Sequence, residues 1–363
     1  MQSVRERIVE EARRLGFAAV GFARADEPLD ADFARYEAFV AGERQGEMRW
    51  LAENAEARRR VDTEHILPGA RTVICVARRY GRSAADEAAD PPTAQTIARY
   101  ARGRDYHNGM RKKLRKLAAF VRRIEDGVAA RPLCDEEPIL ERAWAARAGL
   151  GFVGKNGLVI VPGIGSFVLL GEVITTLAVE PGESLVDRCG SCTRCLDACP
   201  TQAFERPFVL DPRRCISYLT IEHRGPVPEE LRTKIGDHLF GCDDCQTVCP
   251  FNAGVARRGA EVEARFEADP RWETTRVEDL LGLDDAGFVR LREGSAVGRA
   301  TRAGLARNAA IVLGNRGEGR EALAAAATEH DDPNVREAAR WALEGRHVDC
   351  TAPSVPDGLE ERS

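Results

Sequence analysis

CGSCTRCLDACP, residues 189–200, decides how the rest of the chain is read. Cys189, Cys192, Cys195 and Cys199 follow the spacing C-x2-C-x2-C-x3-C-P, the bacterial ferredoxin run for a [4Fe–4S] cluster. Three cysteines at intervals of three wrap a tight loop around three corners of one cubane. The fourth, ahead of Pro200, points to a neighbouring cluster. A second run, Cys242-x-x-Cys245-x-x-x-Cys249-Pro250, repeats the end of this pattern. Leu239 stands where its first cysteine would be, and Cys215, between the runs, can supply the missing ligand. Cross-ligation then groups Cys189, Cys192, Cys195 and Cys249 on a first cluster, and Cys199, Cys215, Cys242 and Cys245 on a second. The competing reading is two structural zinc sites, which usually use separated C-x2-C pairs rather than a three-cysteine run ending in Cys-Pro.

Outside the module the other three of the 11 cysteines carry less: Cys75 sits in a strand-like run, Cys134 reads as a packing residue, and Cys350 lies in a polar tail. The chain of 363 residues allows roughly two to three domains at ~150 residues each. Hydrophobic residues make up 44% and charged residues 31%, which excludes a fully disordered chain. No stretch approaches the ~20 apolar residues of a spanning helix, so no membrane partner is expected. The opening MQSVRERIVEEARR is charged and helical in pattern, unlike a secretory signal. A cytoplasmic protein with reduced thiols is therefore expected, and disulfides are not. The net charge of −5 argues against nucleic-acid binding by the chain as a whole. Between Arg99 and Arg123, however, ten Lys or Arg face one acid, Asp105. This stripe is either a solvated helix face or a phosphate-contacting surface.

Some 185 residues precede the cysteine module, far more than a simple electron carrier needs, so this region is expected to hold the electrons' acceptor. Its pattern is mixed α and β. Residues 4–15 read as an amphipathic helix and Phe17–Phe22 as a strand. A helix is expected near 31–45, and VICV (73–76) reads as a buried strand. Residues 82–94 read as a mobile loop, 109–125 as a helix with one cationic face, and 138–148 as a helix. LVIV (158–161) and FVLLGEVITT (167–176) flank Pro162-Gly-Ile-Gly165 as a hairpin. Gly149-Leu-Gly151-Phe-Val-Gly154 matches G-x-G-x-x-G, but a helix precedes it and a strand follows, the reverse of a dinucleotide fold. Its glycines are expected to let backbone pass close to a large flat ligand. From about residue 297 the chain reads as three Ala-rich helices, with Asp332 as N-cap and Pro333 as first helical residue.

Several strings converge in order: Arg60 ahead of LPGAR (67–71), Tyr100-Ala-Arg-Gly-Arg-Asp-Tyr106-His107, Cys134-Asp135-Glu-Glu-Pro138-Ile-Leu-Glu-Arg142, Ala-Gly-Leu-Gly-Phe-Val-Gly-Lys155-Asn156, and Cys215-Ile-Ser217-Tyr-Leu-Thr220. Together with the double module they resemble the epoxyqueuosine reductase family over nearly the whole chain. The resemblance implies an oxidoreductase that uses cobalamin and two [4Fe–4S] clusters to reduce epoxyqueuosine to queuosine in tRNA. Its implied partners are the anticodon arm of that tRNA and an external low-potential electron donor, and a monomer is expected. The implied fold is α+β: a mixed α/β cobalamin-binding domain (1–185), a ferredoxin-like double-cluster module (186–255), a connecting region (256–296), a HEAT-like helical region (297–347) and a flexible tail (348–363).

The resemblance also places the proton donor at Asp135, and Arg60, Tyr106, Lys155, Ser217 and Thr220 near the cofactor. Taken by itself, Asp135 is either a helix-capping acid or a general acid, and the latter role needs burial to keep a carboxyl of reference pKa ~3.9 protonated near neutrality. Lys155 meets either a corrin side chain or solvent. Asp105-Tyr-His107-Asn-Gly109 falls one residue short of the D-x-H-x-x-G motif, so no histidine on cobalt is expected, and His107 is expected to line the pocket with Tyr106. Arg299, Arg302, Arg307 and Arg316, with the 99–123 stripe, are the candidate tRNA contacts. Two rival functions remain at this point. A small-molecule reductive dehalogenase-like enzyme has no need of a basic stripe, and a plain electron carrier has none of Asp135.

Overall fold

The computed structural model describes residues 2–253 and 262–345. Its N-terminal layer is built on a four-stranded antiparallel sheet in the order β1 (Ala19–Arg24), β2 (Thr72–Arg79), β6 (Val168–Thr175), β3 (Ala130–Leu133). Side chains alternate across β2. Val73, Cys75 and Ala77 pack with Trp144 and Ala145 of the helix Glu141–Arg147. Ile74 and Val76 pack with Ile8 of the helix Val4–Arg14 and with Leu114, Leu117 and Val121 of the helix Tyr106–Arg122. The apolar run at 73–76 is uninterrupted because helices cover both faces of this strand. Each fully buried Ile, Leu or Val contributes about 1.5–3 kcal/mol.

The basic helix begins three residues earlier than 109, at Tyr106, because Asp105 caps it by accepting the His107 backbone N–H at 2.9 Å. The cap places Tyr106 and His107 in the first turn, at the edge of a cleft. Its apolar side is buried through Met110, Leu114, Leu117 and Val121, while Lys112, Arg115 and Lys116 are exposed.

Three local expectations are corrected. Residues 82–94 do not form a mobile loop: they contain the short helices Ala84–Ala88 and Pro92–Gln95, pinned by Asp90, which is buried between Arg82 and Arg102. The helix expected at 138–148 begins only at Glu141. LVIV and FVLLGEVITT are not hairpin partners. A tight turn closes from Val161 to Gly165, after which the chain leaves for the main sheet as β6. Instead Val159–Ile160 (β5) pairs back with Phe152–Val153 (β4). The glycines of the G-x-G-x-x-G string serve this small hairpin. A Cβ at Gly151 would sit 2.5 Å from the Ile160 carbonyl oxygen, and Gly149 has φ +70° against the Glu183 backbone. They approach neighbouring backbone rather than a flat ligand.

The C-terminal region folds as the three expected helices, Arg302–Arg316, Arg320–Glu329 and Pro333–Leu343. Asp332 caps the last, accepting from the Asn334 and Val335 N–H groups. These helices share one core with Ile216, Leu219 and Leu231 of the cysteine module and with Trp272, Leu280 and Phe288 of the intervening segment. The stretch expected as a connector thus supplies core and, from Val289 to Arg299, one wall of the cleft. Residues 254–261, the tail after 345 and Cys350 lie outside the described residues. Among the described residues, no helix is long and apolar enough to cross a membrane.

Candidate active site

A cleft of about 1190 Å³ lies where the α/β layer, the cysteine module and the 289–299 segment meet. It exceeds the ~300–1,000 Å³ of ordinary small-ligand pockets. Tyr106, His107 and Asp135 form one wall, Cys215, Ser217 and Tyr218 another, and Arg292 and Arg299 a third. Trp50 stands at the rim with 45% of its surface exposed.

Asp135 follows β3 in a left-handed backbone conformation, φ +62°, rare for a side-chain-bearing residue and found where surrounding contacts enforce it. The Asp135 N–H donates to the Glu141 carboxylate at 2.9 Å, and the Asp135 carboxylate faces the cleft with 53% of its side chain exposed. One carboxylate oxygen accepts the Tyr106 hydroxyl at 2.9 Å and contacts His107 Nε2 at 3.0 Å. His107 Nδ1 lies 2.6 Å from Asp105. The Tyr106 and His107 rings stack at 4.1 Å, and Tyr100 meets Tyr106 edge-on at 6.0 Å.

The charges follow from these contacts. The hydrogen bond to Asp105, then that to Asp135, raises the His107 pKa to about 9. The hydrogen bond from His107, seconded by that from Tyr106, outweighs partial burial and lowers the Asp135 pKa. The proton expected on Asp135 therefore resides on His107, and Asp135 is ionised: an ion pair stores one proton at the cleft wall. Burial, then the Asp135 charge, keeps the Tyr106 hydroxyl protonated and so a donor. Behind the loop, burial raises Glu141 to about 7 and raises Glu172, which faces it. Glu172 is fully buried with no donor on either carboxylate oxygen, so burial and then the Glu141 charge favour its neutral form.

All ten described cysteines are free thiols. Cys189, Cys192, Cys195 and Cys249 are mutual electrostatic neighbours. So are Cys199, Cys215, Cys242 and Cys245, and Cys195 adjoins Cys245 where the two groups meet. Cys189, Cys192 and Cys195 sit in the largely exposed segment 186–200 and buried Cys249 joins them from the second run; of the other group, Cys199 closes that segment and Cys215 lies on the cleft wall. Ser217 also lines the cleft and accepts the Cys242 N–H at 3.1 Å. His238 and Asp244, 3.0 Å apart, stand beside Cys242.

The other expected site residues lie elsewhere. Thr220 is 1% exposed, donates to the Ile216 carbonyl and accepts the Gly241 N–H: it braces the second-group loop from behind and does not reach the cleft. Lys155 meets neither a cofactor cleft nor open solvent, since its ammonium donates to the Gly190 and Cys192 carbonyls. Arg60 pairs with Asp62 at 3.2 Å, off the cleft wall. Cys134 is buried, and burial raises its thiol pKa, as a packing residue requires. Arg307 is 2% exposed and spends its guanidinium on the carbonyls of Leu219, His223 and Gly225, so it is no tRNA contact. Arg302 is held by Asp285 and Asp331, and Arg316 by Asp237. Arg299 lines the cleft beside Glu222. Of the stripe, Arg99 and Arg102 are taken up by Glu87 and Asp90. Tyr100 and Glu141 stand in the quoted strings and Glu172 lies beyond the G-x-G-x-x-G string, but the sequence assigned none of them a place at the site. Asp105 was visible only as part of a near-miss motif, although its place before a helical run was a capping signal.

Two family models match: one described as a 4Fe-4S double cluster binding domain, over residues 188–252, and one described as epoxyqueuosine reductase QueG, over residues 60–136. The chain is 43% identical over 314 residues to an epoxyqueuosine reductase of Gloeobacter violaceus, covering 86% of this chain and 96% of that protein. It is 40% identical over 342 residues to that of Xanthomonas campestris, covering 93% and 94%. A crystal structure of an epoxyqueuosine reductase with an epoxyqueuosine-modified tRNA-Tyr stem loop superposes with a TM-score of 0.84 at 31% identity, covering 94% of this chain and 90% of that one. A Bacillus subtilis epoxyqueuosine reductase, with its catalytic aspartate loop swung out of the active site, superposes with a TM-score of 0.82 at 30% identity, covering 94% and 90%.

Proposed function

The chain belongs to the epoxyqueuosine reductase family, and from that premise we propose that its cleft reduces the epoxide of epoxyqueuosine in tRNA with cobalamin fed by two [4Fe–4S] clusters. It is an oxidoreductase, and the overall change takes two electrons and two protons, turning the epoxide into an alkene and water.

Eight cysteines in two groups of four match the ligand count of two clusters. The fit to cobalamin rests on the cleft's size and on Cys215 and Ser217 at its wall. When bound, cobalamin supplies the low-valent metal centre that passes the electron pair to the substrate. The remaining work falls to the chain. Asp135 faces the cleft and transmits the proton stored on His107 to the departing oxygen, and the second proton reaches the same oxygen from solvent through the half-exposed Asp135 carboxylate. The Tyr106 hydroxyl steadies the carboxylate between transfers. Glu141 holds the Asp135 backbone in its left-handed turn. Lys112, Arg115 and Lys116, exposed on the basic helix that starts at the cleft, are the tRNA-facing cations we favour.

One observation carries the reading: the Tyr106–His107–Asp135 constellation and Cys215 of the second cysteine group border the same cleft. A plain electron carrier has no use for that acid and imidazole. The test is anaerobic loading with iron, sulfide and cobalamin, reduction, and nucleoside analysis of epoxyqueuosine-containing tRNA. Queuosine is expected only when cobalamin is present. Conversion without cobalamin contradicts the cofactor assignment, and no conversion by the loaded protein contradicts the activity.

A further inference from the structure

The β4–β5 hairpin projects from the α/β layer into the cysteine module. Phe152 and Ile160 pack against Cys249, with Cys189, Leu185 and Phe251 alongside, as an apolar floor beneath the first cysteine group. The hairpin tip, Gly154–Gly157, carries Lys155 and Asn156. Lys155 Nζ donates to the Gly190 carbonyl at 2.6 Å and the Cys192 carbonyl at 2.9 Å. Its backbone N–H faces the Cys189 sulfur. Its own carbonyl accepts the Phe208 N–H at 2.9 Å. Asn156 Nδ2 reaches the Cys245 carbonyl of the second group at 3.4 Å. Among the described residues no carboxylate lies within ion-pairing distance of the Lys155 ammonium, so its charge is compensated only by carbonyl dipoles in the first-group loop.

A cation held against a cluster loop stabilises the more negative, reduced state of the cluster over the oxidised one. We propose that Lys155 is a positioning residue of the electron path: its ammonium fixes the Gly190–Cys192 loop and raises the reduction potential of the first cluster, favouring electron entry from an external one-electron donor. The inference rests on the two-cluster reading. The step it concerns is the gain of one electron by the first cluster, supplied by that donor. In this role Lys155 touches neither substrate nor cobalamin.

The test compares wild-type protein with Lys155→Gln, Lys155→Met and Lys155→Arg, all cluster-loaded, by redox titration followed by electron paramagnetic resonance. Lys155→Gln keeps a hydrogen-bond donor and loses the charge, so it separates the clamp from the field. The expected result is a first-cluster component about tenfold harder to reduce, ~59 mV more negative for one electron, in both Gln and Met variants. The second component should stay in place and Lys155→Arg should restore the wild-type value. Loaded Lys155→Gln titrating as wild type overturns the inference, as does an equal shift of both components. Iron and sulfide analysis of the wild type separates the two levels: absence of two clusters there overturns the two-cluster reading itself.

Discussion

At the residue scale, the site is a proton store shared between Asp135 and His107 rather than a single buried acid. A neutral, desolvated carboxyl was the expectation at Asp135. The fold instead supplies two donors to it, and hydrogen bonds to the charged form outweigh partial burial. His107, raised to about 9, is charged below that pH and loses its proton above it. Turnover with a constant supply of reductant should therefore fall as pH rises through about 9. The stability that His107 contributes has the same sign: fully present below its unfolded pKa of ~6.5 and lost as pH rises through the folded value. Asp105 and Asp135, both lowered, contribute stability that is lost on acidification. Asp105 is the largest cause of the His107 shift, so Asp105→Asn should move the alkaline limb of the pH–rate profile towards neutrality. An unmoved limb would show that another group sets it. Asp135 was legible from the sequence because its neighbours form a recognisable string. Glu141 and Glu172 were not, because a buried carboxylate and an exposed helical one look alike until the strand and helix carrying them face each other.

At the element scale, the helix Tyr106–Arg122 joins two tasks. Its capped first turn builds the cleft wall, and its solvent face carries exposed cations, which we propose face the tRNA. The helix itself was plain from apolar spacing, but its charge count was misleading. Arg99 and Arg102 precede it and are spent on buried acids, a fate no linear pattern records. Lys112, Arg115 and Lys116 are exposed, and changing all three to Glu should weaken tRNA binding and flatten its salt dependence, by up to roughly 0.7–0.9 in log–log slope for each phosphate no longer neutralised. Titration of binding against salt checks this, and an unchanged slope removes the helix from the tRNA footprint. The C-terminal helices behave oppositely. Arg307 looked like a surface cation in an Ala-rich helix, yet it is the buried tie between that helix and the turn after Ile221. Arg307→Met should cost about 3 kcal/mol or more, by leaving buried carbonyls unpaired. The effect would be visible as a lowered Tm, with tRNA affinity per folded molecule unchanged.

At the scale of the whole molecule, three parts of the chain meet at one cleft: the α/β layer brings the proton store, the cysteine module brings the second group of thiols, and the 289–299 segment closes the third side. The cysteine spacing alone divided eight thiols into two groups of four, because short-range geometry dictates it. The gap at Leu239 pointed to Cys215 and so to the cleft wall. What the spacing did not carry was tertiary: that the segment after 261 is core rather than connector, that the glycine string builds a hairpin beneath the first group, and that Thr220 braces a loop instead of meeting a cofactor. Each depends on packing between segments far apart in sequence. The convergence of the electron and proton paths at Asp135 is what we propose for the molecule as a whole. Its most direct test is the single-turnover rate of Asp135→Asn, loaded with both clusters and cobalamin, on epoxyqueuosine-containing tRNA. The predicted result is a loss of about a hundredfold or more, the range of a general acid, with tRNA binding and cluster content retained. Full turnover by that variant would contradict it.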